Sequence, residues 1–151
     1  MEEYVGTKVI TAKPMDREDY NTFRGWTIPD DENPSDPGYL VQYEDGYISW
    51  SPKDVFEQSY HKSGNLDFGA ALKMLKLGFK VARKGWNGLG MFAYMVPANA
   101  YPANTEAAKS HFGDSLVPYR AYFALKTAQD DIATWVPSGS DIIAEDWEVV
   151  K

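Results

Sequence analysis

Cysteine is absent from the chain. Disulfide staples, thiolate zinc sites and cysteine nucleophiles are thereby excluded. Histidine is scarce: His61 and His111 are the two present, and neither sits in a spaced ligand motif. No apolar run approaches the ~20 residues that span a bilayer. The opening stretch MEEYVGTKVITAKP starts acidic and has no apolar core of signal-peptide length, so a cytoplasmic protein is expected. Catalytic signatures are missing as well. There is no phosphate-cradling Walker loop, no dinucleotide fingerprint, no His-Glu-x-x-His and no nucleophile elbow. Residues 85–90 are glycine-rich, but their spacing matches neither nucleotide motif, and no convincing helix follows them. Ser138 and Ser140 lack a nearby histidine with an orienting third group. Asp130-Asp131 and Glu145-Asp146 are adjacent pairs. On a strand such neighbours point to opposite faces, so they read as turn or surface charge rather than an acid/base dyad. The residues imply no cofactor, no metal and no catalysis.

What is present suits a globular protein. The 151 residues are 44% hydrophobic and 25% charged, close to the soluble norm. Aromatics reach 15%, with 5 Trp and 10 Tyr, more than a core this small needs. Some rings are therefore expected half-exposed, in a ligand site or an oligomer interface. The net charge of -7 is unevenly spread. Residues 1–60 carry 13 Asp/Glu against 5 Lys/Arg, net -8, whereas residues 61–151 carry 9 against 10, net +1. The acidic half repels nucleic-acid backbones, so no DNA or RNA partner is expected. The near-neutral half retains the basic residues to hold a small anion: Lys73, Lys76, Lys80, Arg83, Lys84, Arg120 and Lys126. Composition and charge both shift near His61-Lys62-Ser63-Gly64-Asn65. That predicts an acidic α+β N-terminal extension over 1–62 and a ligand-binding domain over 63–151.

In the first part, alternation predicts a strand over residues 5–12. Asp16 caps a short helix, with Asp19 three positions on, and Gly25 closes it. Residues 29–38 form an acidic turn-rich loop. Residues 39–50 read as a hairpin turning at Asp45-Gly46. Ser51 as N-cap with Pro52 at the first helical position predicts a helix to about Tyr60, burying Val55 and Phe56. In the second part, Asp67 caps a helix whose Phe68, Ala71, Leu72 and Leu75 share one face, and Gly78 ends it. Strands are predicted over 79–83, 91–96, 120–127, 133–136 and 147–150. Residues 97–117 read as a long loop, and 141–145 as a helical turn. Short connections require antiparallel neighbours. The expected fold is α+β: one helix packed on a small antiparallel sheet, beside the small N-terminal α+β extension.

Small polar and aromatic residues gather in the predicted bends: Trp86, Asn87 and Gly88, then Phe92 and Tyr94, then Trp135, Ser138, Gly139, Ser140 and Asp141. Exposed backbone N–H groups in such bends surround phosphates, and indole rings stack on bases. The same residues also serve as ordinary turn formers and core rings, and composition does not separate the two roles.

A resemblance bears on that choice. The helix Asp67-Phe68-Gly69-Ala70-Ala71-Leu72-Lys73-Met74-Leu75-Lys76-Leu77-Gly78 is followed by Lys80-Val81-Ala82-Arg83-Lys84-Gly85-Trp86-Asn87-Gly88. Met91-Phe92, Leu125-Lys126-Thr127, Thr134-Trp135-Val136-Pro137-Ser138 and the ending Asp141-Ile142-Ile143-Ala144-Glu145-Asp146-Trp147-Glu148-Val149 come next in order. Together these resemble the Thoeris anti-defense 2 family of phage proteins over about residues 66–150. The resemblance implies a non-catalytic sponge. Such proteins bind cyclic ADP-ribose-type signals, glycocyclic ADP-ribose among them, made by the TIR enzymes of Thoeris immunity. Some also hold cyclic dinucleotides at a separate site. It further implies a homotetramer with pockets at subunit interfaces, acting in the host cytoplasm. On this reading Trp86 and Trp135 stack on bases, Asn87, Ser138 and Asp141 bond ribose or base edges, and Arg83, Lys84 and Lys126 neutralise phosphates. Phe92 borders the site, with a core role weighing more, and Trp147 is structural. Residues 1–65 depart from the family pattern.

Two other readings stay open on sequence grounds. One is a hydrolase of such signals using Asp141 or Glu145. The other is a phage protein that binds a host protein through its acidic first half.

Overall fold

Residues 1–10 take no regular structure in the computed structural model, which describes all 151 residues. The first strand, β1, spans Thr11–Pro14 rather than residues 5–12. Its partner β2 (Gly38–Gln42) explains the displacement. Thr11 faces Gln42, the last residue of β2, so anything earlier overruns the available edge. Asp16 accepts the Asp19 N–H at 2.8 Å and starts α1 (Arg17–Arg24), and Gly25 ends it in the left-handed conformation at φ 71°. β2 turns at Gly46 into β3 (Ile48–Pro52), giving a sheet in the order β1-β2-β3. The next helix, α2 (Lys53–Ser59), begins differently from expectation. Ser51 pairs with Tyr39 inside the ladder, leaving Pro52 as a cap with no side-chain bond. Val55 is exposed, against expectation, and no residue of α2 is buried. The helix instead docks through Phe56, stacked between Tyr39 at 4.1 Å and Tyr60 at 5.1 Å.

The chain divides into two compact units, Met1–His61 and Lys62–Lys151. In the second, the Asp67 carboxylate accepts the Ala70 N–H at 2.8 Å and opens α3 (Phe68–Lys76). Ala71, Met74 and Leu75 are its buried residues, and Gly78 follows at φ 91°. β4 (Lys80–Arg83) and β5 (Phe92–Val96) come next. The segment predicted as a long loop contains β6 (Asn99–Tyr101), α4 (Glu106–Phe112) and β7 (Val117–Tyr119), with β6 paired to β7. Thr105 caps α4 through the Ala108 N–H. No residue of α4 is buried, so the helix left no apolar periodicity to read. β8 (Tyr122–Lys126), β9 (Ile132–Thr134), α5 (Gly139–Ile143) and β10 (Trp147–Val150) complete the chain. α5 starts two residues before the predicted helical turn because Ser138 caps it.

Five strands form an antiparallel sheet in the order β10-β4-β5-β8-β9. The last strand thus pairs with the first of the five. α3 packs on one face, and the core is Ala71, Met74, Leu75, Val81, Ala93 and Trp147. The architecture is α+β, with antiparallel strands throughout. No helix is long and apolar enough to cross a membrane.

Candidate ligand site

Pairing of β10 with β4 sets Arg83 opposite Trp147, so the side chains of both lie on the helix-covered face. Arg83 ends β4 and reaches two carboxylates. Its Nη1 donates to Asp141 Oδ1 at 3.0 Å and its Nε to Asp146 Oδ1 at 2.8 Å. Asp146 Oδ2 accepts the Gly85 N–H at 2.8 Å, which pins the start of the glycine-rich bend.

Asp141 is 8% exposed and fully engaged. Its Oδ1 also accepts Trp86 Nε1 at 3.1 Å, and its Oδ2 accepts the Ser138 N–H at 3.0 Å. The Asp141 N–H donates to Ser138 Oγ at 3.1 Å, closing a capping box at the start of α5. The Asp141 carbonyl accepts Trp147 Nε1 at 2.9 Å. Trp86, Trp135 and Trp147 meet edge-on with centroids 5.4 to 6.1 Å apart. One ion-pair network and one indole cluster therefore tie the bend after β4 to the bend before β10.

Burial pushes the Asp141 carboxyl up, but hydrogen bonds from Ser138, Trp86 and Arg83 outweigh it and hold it below the usual carboxylate value. Arg83 does the same for Asp146, against a smaller effect of burial. The two carboxylates in turn hold the Arg83 guanidinium above its ordinary value. No buried side-chain nitrogen or oxygen lacks a partner. No cluster of three or more His, Asp or Glu is arranged to hold a metal.

The candidate residues separate into groups. Arg83, Trp86, Trp135, Ser138 and Asp141 come together at this network, with Trp86 and Trp135 half-buried. Lys84 and Asn87 are exposed on the first bend. Phe92 faces Lys126 across β5 and β8, one residue out of phase with the core pair Ala93 and Leu125, so both lie on the opposite sheet face. Lys126 pairs with Asp130 at 3.0 Å. Its ammonium hangs beside the same bend, 3.6 Å from where a Cβ on Gly90 would sit. Lys80 lies 5.1 Å from the Phe92 ring centre.

Asp146 is the residue that sequence reasoning missed. It was expected to be turn or surface charge, yet it bonds Arg83 63 positions away. No local pattern signals a contact of that separation.

The residues that build this network fall inside one region of similarity to known proteins. Residues 66–150 match the family model of the Thoeris anti-defense 2-like domain. A 38% identity over 86 residues relates the chain to "Thoeris anti-defense 2" of Bacillus phage SP01, covering 57% of this chain and 96% of that protein. The chain belongs to the Thoeris anti-defense 2-like family. Its matched region opens at Leu66, one residue before the cap of α3, and closes at Val150, the last residue of β10. The Thoeris anti-defense 2-like domain therefore holds α3, the whole five-stranded sheet and the Arg83–Asp141–Asp146 network. Residues 1–65 lie outside the match.

Proposed function

We propose that this chain is a phage anti-defense protein that binds and sequesters a cyclic nucleotide immune signal without cleaving it. Glycocyclic ADP-ribose is the first ligand class and cyclic dinucleotides the second. The active form is a homotetramer in the cytoplasm of the infected bacterium. The observation that carries the reading is the 38% identity over 96% of the phage SP01 protein named for its action against Thoeris.

The geometry adds a division of labour. Arg83 Nε and Nη1 and the Asp141 carboxylate are spent on each other, on Asp146 and on Ser138, so they hold the two bends in place. Trp86 and Trp135 share that task through the indole cluster and, only half-buried, keep ring surface for stacking. Lys84, Asn87 and the backbone N–H groups of residues 87–90 remain to meet phosphate and ribose, with Lys126, held by the exposed Asp130, beside them and Phe92 bordering the surface.

The state of the Asp141 and Asp146 carboxylates supports retention over turnover. A general acid or base works best with a pKa near the operating pH. Asp141 and Asp146 are held the other way and are occupied by donors. The test is to incubate the protein with glycocyclic ADP-ribose, denature it and analyse the released material. Intact ligand in stoichiometric amount is the expected result. A linear product formed over many turnovers overturns the reading.

A further inference from the structure

The N-terminal unit holds a groove of about 480 Å³ that the function above does not use. One wall is α1 and the segment after it, with Arg17, Tyr20, Asn21 and Arg24 on the helix and Glu32 beyond it. The other is β3, which contributes Ile48, Ser49 and Trp50, with Tyr47 just before them. Successive strand residues point to opposite faces. Four consecutive residues line one groove where that groove runs along the strand's edge, and β3 is an edge strand in the order β1-β2-β3.

The hydrogen-bond phase agrees. The Tyr43 N–H donates to Tyr47 O at 2.9 Å, and the Lys53 N–H to Pro37 O at 3.0 Å. With Val41 opposite Ser49 and Tyr39 opposite Ser51, the odd-numbered residues of β3 bond inward to β2. Ile48 and Trp50 therefore turn their N–H and C=O groups outward, into the groove.

We propose that this edge takes an extended, carboxylate-bearing peptide segment of a partner protein by strand addition, a binding activity beyond the capture of a nucleotide signal. The outward groups of Ile48 and Trp50 supply main-chain hydrogen bonds, and the aromatic walls supply side-chain contact. Charge selects the occupant. Arg17 lies over Trp50 and spends its charge on Glu32 and Asp36. Arg24 lies over Trp26, 4.5 Å from its ring centre, and makes no ion pair. One free guanidinium in a strongly acidic unit matches a single peptide carboxylate. A di- or triphosphate carries more negative charge than that lone cation offsets, and the acidic surroundings penalise each uncompensated charge.

The full chain is screened against a proline-free random octapeptide library, with Ile48→Pro in parallel. The Ile48 N–H points outward, so proline there removes a groove donor without removing a bond to β2. Selected peptides are expected to carry Asp or Glu, to bind Ile48→Pro at least about tenfold more weakly, and to lose a similar factor when alternate amides are N-methylated. Arg24→Glu is expected to shift the selection toward Lys and Arg. N-methylation changes the probe alone, so it decides the matter even if a protein variant misfolds. The proposal is overturned if no peptide is enriched, if binding ignores both Ile48→Pro and N-methylation, or if adenosine diphosphate displaces the peptide. Capture of glycocyclic ADP-ribose by Ile48→Pro is expected to be unchanged, which separates this proposal from the function above.

Discussion

At Asp141, one carboxylate accepts from a guanidinium, an indole and a backbone amide at once. Removing Arg83 leaves Asp141 and Asp146 without their shared cation. Arg83→Met is expected to cost about 2–3 kcal/mol, less than for a fully buried pair because the guanidinium is partly solvated. Chemical denaturation of the two proteins measures it. The carboxylates also set an acid limit. Both have folded-state pKa values below the ordinary one, so the unfolded chain binds more protons in that range and stability rises with pH across it. Their contribution is complete above the unfolded value of about 4 and is lost as pH falls through the folded values. Melting curves from pH 7 to pH 2.5 are expected to show the wild type losing stability below about pH 4. Asp141→Asn/Asp146→Asn should start lower and fall less steeply. Ligand contact is a different matter. Asn87→Ala and Lys126→Ala are expected to weaken cyclic nucleotide binding while leaving the melting temperature nearly unchanged, read by titration calorimetry beside thermal melts. Equal affinity in both variants would move the site elsewhere.

Among the elements, the capped helices were the most legible. Asp16, Asp67, Gly25 and Gly78 each act where the sequence put them, because a cap needs only atoms within three or four residues. Asp67→Ala is expected to destabilise the second unit by about 1 kcal/mol in denaturant titrations. Two of the errors share a cause. Ser51 looks like a cap until Tyr39 pairs with it and extends β3. Residues 5–12 look like a strand, but β2 ends opposite Thr11. In both places the length of a partner strand overrode a local preference.

For the whole molecule, the matched region holds the larger buried cluster, while Tyr20 and Val41 are buried in the first unit. Every residue of the buried cluster lies between Ala71 and Trp147, inside residues 66–150. A chain reduced to residues 62–151 is therefore expected to fold cooperatively and to bind glycocyclic ADP-ribose with the affinity of the full chain. Circular dichroism melting and calorimetry check this, and a truncated chain that fails to fold would make residues 1–61 part of the domain's stability.

The amino-acid order by itself determined the α+β class, the antiparallel pairing, the ends of α1 and α3 and the family. These rest on short-range stereochemistry, on connection length and on motifs read in sequence. The tertiary structure alone decided that Arg83 meets Asp141 and Asp146, 58 and 63 positions away, that Phe92 and Lys126 lie on the opposite sheet face from them, and that β3 presents a free edge to a groove. Each of those depends on which strand lies beside which. Strand order is settled by packing the whole sheet at once, and no local stretch of the chain encodes it.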